Sequence, residues 1–426
     1  MKPAIVFIWE NFGPYHVDRL EAAAAALEPT HRVIGIEIAG SSSVYAWDRT
    51  ESVAGVERIT LFPGRLFATV PAWRQLSAML RACLKARAPH IFLCHVTRPD
   101  TFILAVILRL LGRRVYVMTE SKFDDKPRRL GLELFKKVIY LPYRAALAGG
   151  ARHRDYLRFL GFGPASVALG YDTVSMDRVR RLAGAPPAPG GIAHAQRHFT
   201  IVARLVSKKN LAMALEAYAQ YCQAAGPSAR ELHFCGSGDL DVALREQARE
   251  LGLTKAVFRG FIQAPEVAQV LASTLALILP STEEQWGLVI NEANAMGVPV
   301  LCSLNVGARD LLVRTGVNGF IFEPDNPAGL AYFMQRLAAD EPEWRRLAEG
   351  SLRLAPLADT SNFGAAVAHL IQGRADRETA LVPSAAPASS EDKTRNIGKI
   401  EIAGEAHVAV RAQAARDDEP SQLVGE

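Results

Sequence analysis

The chain has little that would staple it covalently or arm it with a metal. Its 426 residues hold five cysteines, Cys83, Cys94, Cys222, Cys235 and Cys302, and no CxxC pair. An odd, scattered set argues against a disulfide framework and fits inert thiols in a reducing compartment. The ten histidines scatter without the HExxH spacing of zinc proteases, so no metal site is expected. Long apolar runs are missing too. Phe102 to Leu108 comes nearest to one and is closed by Arg109, well short of the roughly 18 residues that span a bilayer. Ala4 to Trp9 is apolar, but Glu10 cuts it short and no basic flank precedes it, which reads as a first strand rather than a signal peptide. No GxGxxG follows that strand, which disfavours a Rossmann-type dehydrogenase.

Basic residues outnumber acidic ones by a formal net charge of +5, and the excess is uneven. Arg109, Arg113, Arg114, Lys122, Lys126, Arg128, Arg129, Lys136, Lys137 and Arg144 crowd one region, with Arg152, Arg154 and Arg158 just beyond. Only Glu120, Asp124, Asp125, Glu133 and Asp155 oppose them. Such a region suits solvated helix faces, or contact with an anionic membrane surface or a phosphorylated acceptor. Stacking aromatics are not interleaved with the basic residues, so nucleic acid is not an expected partner.

What the chain does have is alternation. Strands are expected at Ala4–Trp9, Arg32–Ile38, Ile91–Cys94 and Arg114–Met118, separated by helices at His16–Leu27, Trp73–Arg87 and Thr101–Leu111. GAPPAPGG, Gly184 to Gly191, breaks the pattern as a linker. Strands resume at Phe199–Ala203, Leu232–Cys235, Ala256–Phe258, Leu275–Leu279 and Val298–Cys302. The helices between and after them are Asn210–Ala224, Asp239–Leu251, Pro265–Ala272 and Leu288–Met296. Two α/β halves imply a cleft, where ligands bind. From about Gly373 the composition turns to Ala, Ser, Pro, Glu and Asp, which predicts a disordered tail.

Three turns carry chemistry. In PSTEEQWGLVINE, a buried strand ends at Leu279 and a helix starts near Gly287 or Leu288. Gly287 lets a ligand come close, and the first helical turn offers free N–H groups. Glu284 lies in the loop and Glu292 in the helix. Amides between two carboxylates suit a ligand with both phosphate and hydroxyls, such as a sugar nucleotide. In IVARLVSKKN, Arg204, Lys208 and Lys209 stand at a strand end and can hold a diphosphate. In CGSGD, Gly236 and Gly238 permit either a tight turn or close approach to a phosphate. Each turn alone is equally an ordinary connection with solvated charges. NFGPYH joins the first strand to the first helix; Gly13 would let a substrate approach, with His16 and His95 as candidate polar groups in the cleft.

Together these segments resemble the retaining family-4 glycosyltransferases (glycosyl transferases group 1) of the GT-B fold, from about Thr200 to Asn326. ARLVSKKN, CGSGD, VFRGFI, EQWGLVINE with its two glutamates, GVPV and GVNGFIFEPDN occur in the family's order. In the first half, LGYDTVSMDRV, Leu169 to Val179, resembles the segment that ends that domain. The resemblance implies two Rossmann-like α/β domains facing a cleft. Residues 1–183 would form the acceptor-side domain and 184–198 a linker. The donor-side domain would be 199–342, the returning C-terminal helices 343–372 and the tail 373–426.

It also implies roles. Arg204 and Lys209 would bind the donor diphosphate and neutralise the leaving group, Glu284 would hold the transferred sugar, and Glu292 the ribose. The amides after Trp286, at Gly287 and Leu288, would face phosphate. Gly236 would lie in the glycine turn, Phe261 beside the base, and Gly13 at the border of donor and acceptor. No cofactor or metal is implied, since Arg and Lys carry the charge. Many members have a histidine after the strand matching Val115–Met118; here Thr119, Glu120 and Ser121 stand there, which leaves Glu120 or His95 to serve. Asp310 replaces a more usual Glu. The expected protein is cytoplasmic, with contact at the inner membrane face, and passes a sugar to a glycan or lipid-linked acceptor. The competing readings are a nucleotide-sugar epimerase or a phosphorylase on the same fold, and an inactive sugar-nucleotide-binding partner.

Overall fold

Every residue of the first strand, β1 (Ala4–Trp9), is buried, as its unbroken apolar run demands of a strand covered on both faces. The computed structural model describes residues 2–41 and 53–372, all within one compact unit. The expected tail from 373 lies outside the described residues.

Around β1 stand β2 (Arg32–Ser41), β3 (Val56–Leu66), β4 (His90–Leu93), β5 (Arg114–Thr119), β6 (Ala145–Ala148) and β7 (Val167–Leu169). They form one parallel sheet in the order β3-β2-β1-β4-β5-β6-β7. Ile5 pairs with Val33 on one side and His90 on the other. A second sheet contains β8 (His198–Val202), β9 (Leu232–Cys235), β10 (Ala256–Gly260), β11 (Thr274–Leu279), β12 (Val300–Ser303) and β13 (Gly319–Phe322). Its order is β10-β9-β8-β11-β12-β13, again parallel. Both are doubly wound, and each reverses its winding beside its first strand. Ligands of such sheets bind outside the carboxyl ends of the strands at that reversal, here between β1 and β4 and between β8 and β11.

The strands β3, β6, β7 and β13 and the helices Leu130–Tyr140, Ala151–Phe159 and Met176–Ala183 add to the expected elements. Short apolar runs such as AALA and VAL carry no period that separates strand from helix. The Pro/Gly-rich stretch after Ala183 is pinned rather than loose. Ala188 is fully buried and its N–H donates to the Met296 carbonyl. Arg197 donates to the carbonyls of Ala272, Thr274 and Gly190. His194 and His198, four residues apart, do not converge: one ring bonds the Leu337 carbonyl and the other the Ser273 hydroxyl.

The chain returns at its end. The helix Glu341–Leu354 buries Trp344 in the core of the second sheet, while Ser361–Gln372 buries Phe363 against Phe7 of β1. Among the described residues, no helix is long and apolar enough to cross a membrane.

Candidate active site

The turns leaving β8 and β11 are neighbours because those strands pair at the reversal of the second sheet. They are laced together by backbone. The N–H and hydroxyl of Thr282 both donate to the Lys208 carbonyl. Asn210 adopts a left-handed conformation (φ 56°), which lets its amide reach the carbonyls of Pro280 and Pro324 at 3.2 and 2.6 Å. Asn tolerates that conformation better than most residues. These anchors fix Lys209, whose ammonium contacts the Glu284 carboxylate; Ser281 donates to the same carboxylate oxygen at 3.2 Å. The cation expected at the diphosphate and the acid expected at the sugar therefore meet directly, each largely shielded from water. Arg204 is exposed at the start of the β8 turn.

Gly236, at the end of β9, faces this turn, and of its two possible uses the structure displays the tight packing. A Cβ there would lie 1.8 Å from the Ala203 carbonyl oxygen, and its N–H donates to the Gly260 carbonyl. Gly238 presses on the Leu205 carbonyl in the same way. Phe261 follows β10 and is half exposed.

After β11 the chain turns at Gly287 (φ 103°) and enters the helix Val289–Ala295. Its first bonds run from Ile290 and Asn291 back to the carbonyls of Gly287 and Leu288. The N–H groups of Gly287, Leu288 and Val289 thus have no place in the helical ladder. The helix is seven residues long, so these local donors matter more than any summed dipole. Trp286, expected at the donor, is 2% exposed and its side chain belongs to packing. The indole lies against Gly149 and Gly150, tilts on His153, and donates to Asn291 at 3.0 Å. Only backbone beside it is left to meet a ligand.

The match of known proteins falls on these same turns. The family model described as glycosyl transferases group 1 matches residues 187–352. The chain carries a glycosyl transferases group 1 domain. An uncharacterized glycosyltransferase of Methanocaldococcus jannaschii is 30% identical over 156 residues, 35% of this chain and 38% of that one. A D-inositol 3-phosphate glycosyltransferase of Streptomyces bingchenggensis is 35% identical over 109 residues, 25% of this chain and 24% of its own. The match thus spans well under half of either relative. Solved structures extend the likeness in fold to both sheets. Sucrose-phosphate synthase of Thermosynechococcus elongatus superposes with a TM-score of 0.67 at 18% identity, over 87% of this chain and 99% of that one. Anabaena HepE, solved with UDP and glucose, gives 0.64 at 17% identity over 87% and 100%. The architecture is GT-B.

In the group 1 domain Glu292 is buried and turned toward the other half. Its carboxylate accepts from the Tyr15 hydroxyl at 3.1 Å. Burial first, offset by Arg178, lifts its pKa to about 7. Arg178 is itself held by Asp18 at 2.7 Å. Tyr15 and Arg178 were not legible as site residues; the segment ending at Val179 was the sole pointer toward the second. Gly13 caps the helix Pro14–Leu27 and donates its N–H to His16 Nδ1 at 3.0 Å. That bond requires the unprotonated ring nitrogen, and burial lowers the His16 pKa to about 3. His16 thus serves as a neutral cap packed on Trp9.

His95 stands at the other reversal, after β4, with φ 55° and its Nε2 3.6 Å from Glu10. The two border a narrow crevice, no larger than a water molecule needs, with Trp9, Cys94 and Arg98. Glu120, just past β5, sets its charge beside the buried carboxyl of Asp172. Burial and then the Glu120 charge raise the Asp172 pKa well above the carboxylate range. Arg19 approaches the same carboxyl at 3.4 Å. The structure thus gathers Lys209, Glu284, Gly287 and Leu288 at one reversal and His95 with Glu10 at the other. Glu292 meets Tyr15 between them.

Proposed function

We propose that the protein is a glycosyltransferase that moves a sugar from a nucleoside diphosphate sugar to a glycan or lipid-linked acceptor, with retention of configuration. The observation that carries this is the Lys209–Glu284 contact at the β8/β11 reversal, beside the unladdered amides of Gly287 to Val289. A donor diphosphate would take Lys209 and those amides, with Arg204 at the rim. Glu284, released from Lys209, then accepts hydroxyls of the transferred sugar. As the sugar–phosphate bond breaks, negative charge grows on the diphosphate, and fixed cations and amides in a water-poor cleft stabilise it. Those side chains supply the charge that a metal would otherwise bring. Glu292 would exchange the Tyr15 hydroxyl for those of the ribose, and Phe261 would border the base. His95 and Glu10 on the facing sheet would receive the acceptor. HepE, a neighbour in fold, was solved with UDP, which suits a nucleotide-sugar donor. A cytoplasmic enzyme with its cleft near the inner membrane face fits this chemistry.

The test is thermal stabilisation by UDP, GDP, ADP and their sugars, wild type beside Lys209→Ala. A ligand at 100 times its dissociation constant adds about 2.7 kcal/mol. One nucleotide should stabilise the wild type and not the variant; no shift with any of them sinks the reading. Conversion of the donor sugar without acceptor would instead mark an epimerase.

A further inference from the structure

The helix Leu130–Tyr140 is inside out. Its inward side holds Glu133, which is 3% exposed and accepts from Lys136, Arg128 and the Tyr156 hydroxyl. Its outward side holds Leu130, Leu134 and Val138 at four-residue spacing, with Phe135 beside them, and Leu141 follows its end. Leu130 and Leu141 are 67% and 73% exposed. Such a stripe on a water-facing helix loses free energy unless something apolar covers it.

The surrounding charge says what covers it. Residues 126–144 contain six basic side chains and one acid, and that acid is the buried, ion-paired Glu133. Lys126, Arg129 and Arg144 are exposed at the two ends of the helix. The Lys137 ammonium lies over the ring of half-exposed Phe159, 5.2 Å from its centre. An apolar stripe framed by cations, with no exposed acid in the segment, is the composition of a helix that lies in a bilayer interface. A protein partner would equally cover the leucines but gives no reason for charge of one sign alone.

We propose that the outward face of the Leu130–Tyr140 helix docks the protein on an anionic lipid bilayer. The leucines and Phe135 enter the headgroup boundary while the basic frame meets the lipid phosphates. Each exposed Lys or Arg held near such a surface strengthens partitioning about fivefold. The segment leading into the helix starts at Glu120, past the carboxyl end of β5, on the side where the ligand crevice opens. Docking thus brings the cleft to the membrane surface. This last consequence rests on the glycosyltransferase reading, and the docking itself does not.

Full-length protein would be sedimented with vesicles of phosphatidylcholine alone and with added phosphatidylglycerol, at low and raised salt. Wild type should pellet with the anionic vesicles and be released by salt. Leu134→Gln with Phe135→Gln should lower binding at least tenfold, and Arg129→Glu with Lys137→Glu should abolish it. Nucleotide-induced thermal shift, run on each variant, verifies folding and tests the donor site separately. Vesicle binding without any nucleotide shift leaves docking standing and removes the transferase. Failure of wild type to pellet with anionic vesicles, equal binding by the variants, or a dimer lost in Leu134→Gln/Phe135→Gln overturns the docking proposal.

Discussion

Glu292 shows how one side chain couples the halves to pH. Its folded pKa of about 7 stands above the ordinary 4.5 because burial penalises the charge. Below pH 4.5 the group is protonated in both states, and its contribution to stability is fully present. Between 4.5 and 7 the unfolded chain gives up its proton while the native state keeps it, so stability falls as pH rises. The loss levels off above 7 at about 3 kcal/mol. Glu292→Gln removes the titration and keeps an acceptor for the Tyr15 hydroxyl. The variant should gain in melting temperature over wild type from pH 5 to pH 8, with nucleotide affinity reduced. A melting difference that does not vary with pH would mean that Glu292 ionises freely in the native state. Glu292 could be named from its place in a motif. Tyr15 could not, since it lies 277 residues away and its contact exists only once two sheets have packed. The same holds for Asp172, whose neighbours Arg19 and Glu120 come from the helix Pro14–Leu27 and from the turn after β5.

At the scale of elements, the sequence reading succeeds where a strand, a turn and a helix follow in one apolar pattern. β1 and β9 fall where the runs Ala4–Trp9 and Leu232–Cys235 place them. It stalls at Leu130–Tyr140, whose apolar stripe points outward, so that periodicity gives no core face to find. It also cannot tell what a glycine is for. Gly236 and Gly287 look alike in sequence, each in a turn that follows a strand. A methyl at Gly236 would strike backbone, the Ala203 carbonyl 1.8 Å away. At Gly287 it would meet the Leu279 methyl at 2.9 Å, a side chain that can turn aside, with strain from φ 103° remaining. Gly236→Ala should therefore cost about 3 kcal/mol in urea unfolding and Gly287→Ala about 1–2 kcal/mol. Nucleotide affinity should follow the opposite order, falling more for Gly287→Ala, whose methyl lies beside the unladdered amides. Equal stability losses would refute the distinction between backbone and side-chain neighbours.

For the whole molecule the question is what makes two sheets with separate cores behave as one body. Each has its own apolar clusters, and a further one packs Tyr15, Val174, Met176 and Val179 of the first half against the second sheet and its helices. Arg152, paired with Asp124 in its own half, crosses by charge, reaching Asp310 at 2.5 Å and the Val306 carbonyl. His153 bonds the Gln285 carbonyl at 2.9 Å. Trp286 does so by volume, filling the space above Gly149 and Gly150, where any larger residue would collide with its ring. Its partner Asn291 continues the connection to the Asp172 carbonyl at 2.8 Å. An exposed ion pair contributes little, whereas removing a buried indole costs about 3–5 kcal/mol. Trp286→Ala should therefore loosen the halves far more than Arg152→Ala. By calorimetry the wild type should melt in one transition and Trp286→Ala in two, one for each sheet and its helices. Nucleotide should raise the transition of the second sheet alone in that variant, because Lys209, Glu284 and the Gly287 amides all belong to it. A single, merely lowered transition in Trp286→Ala would show that the returning helix Ser361–Gln372, packed on β1, couples the halves without the indole.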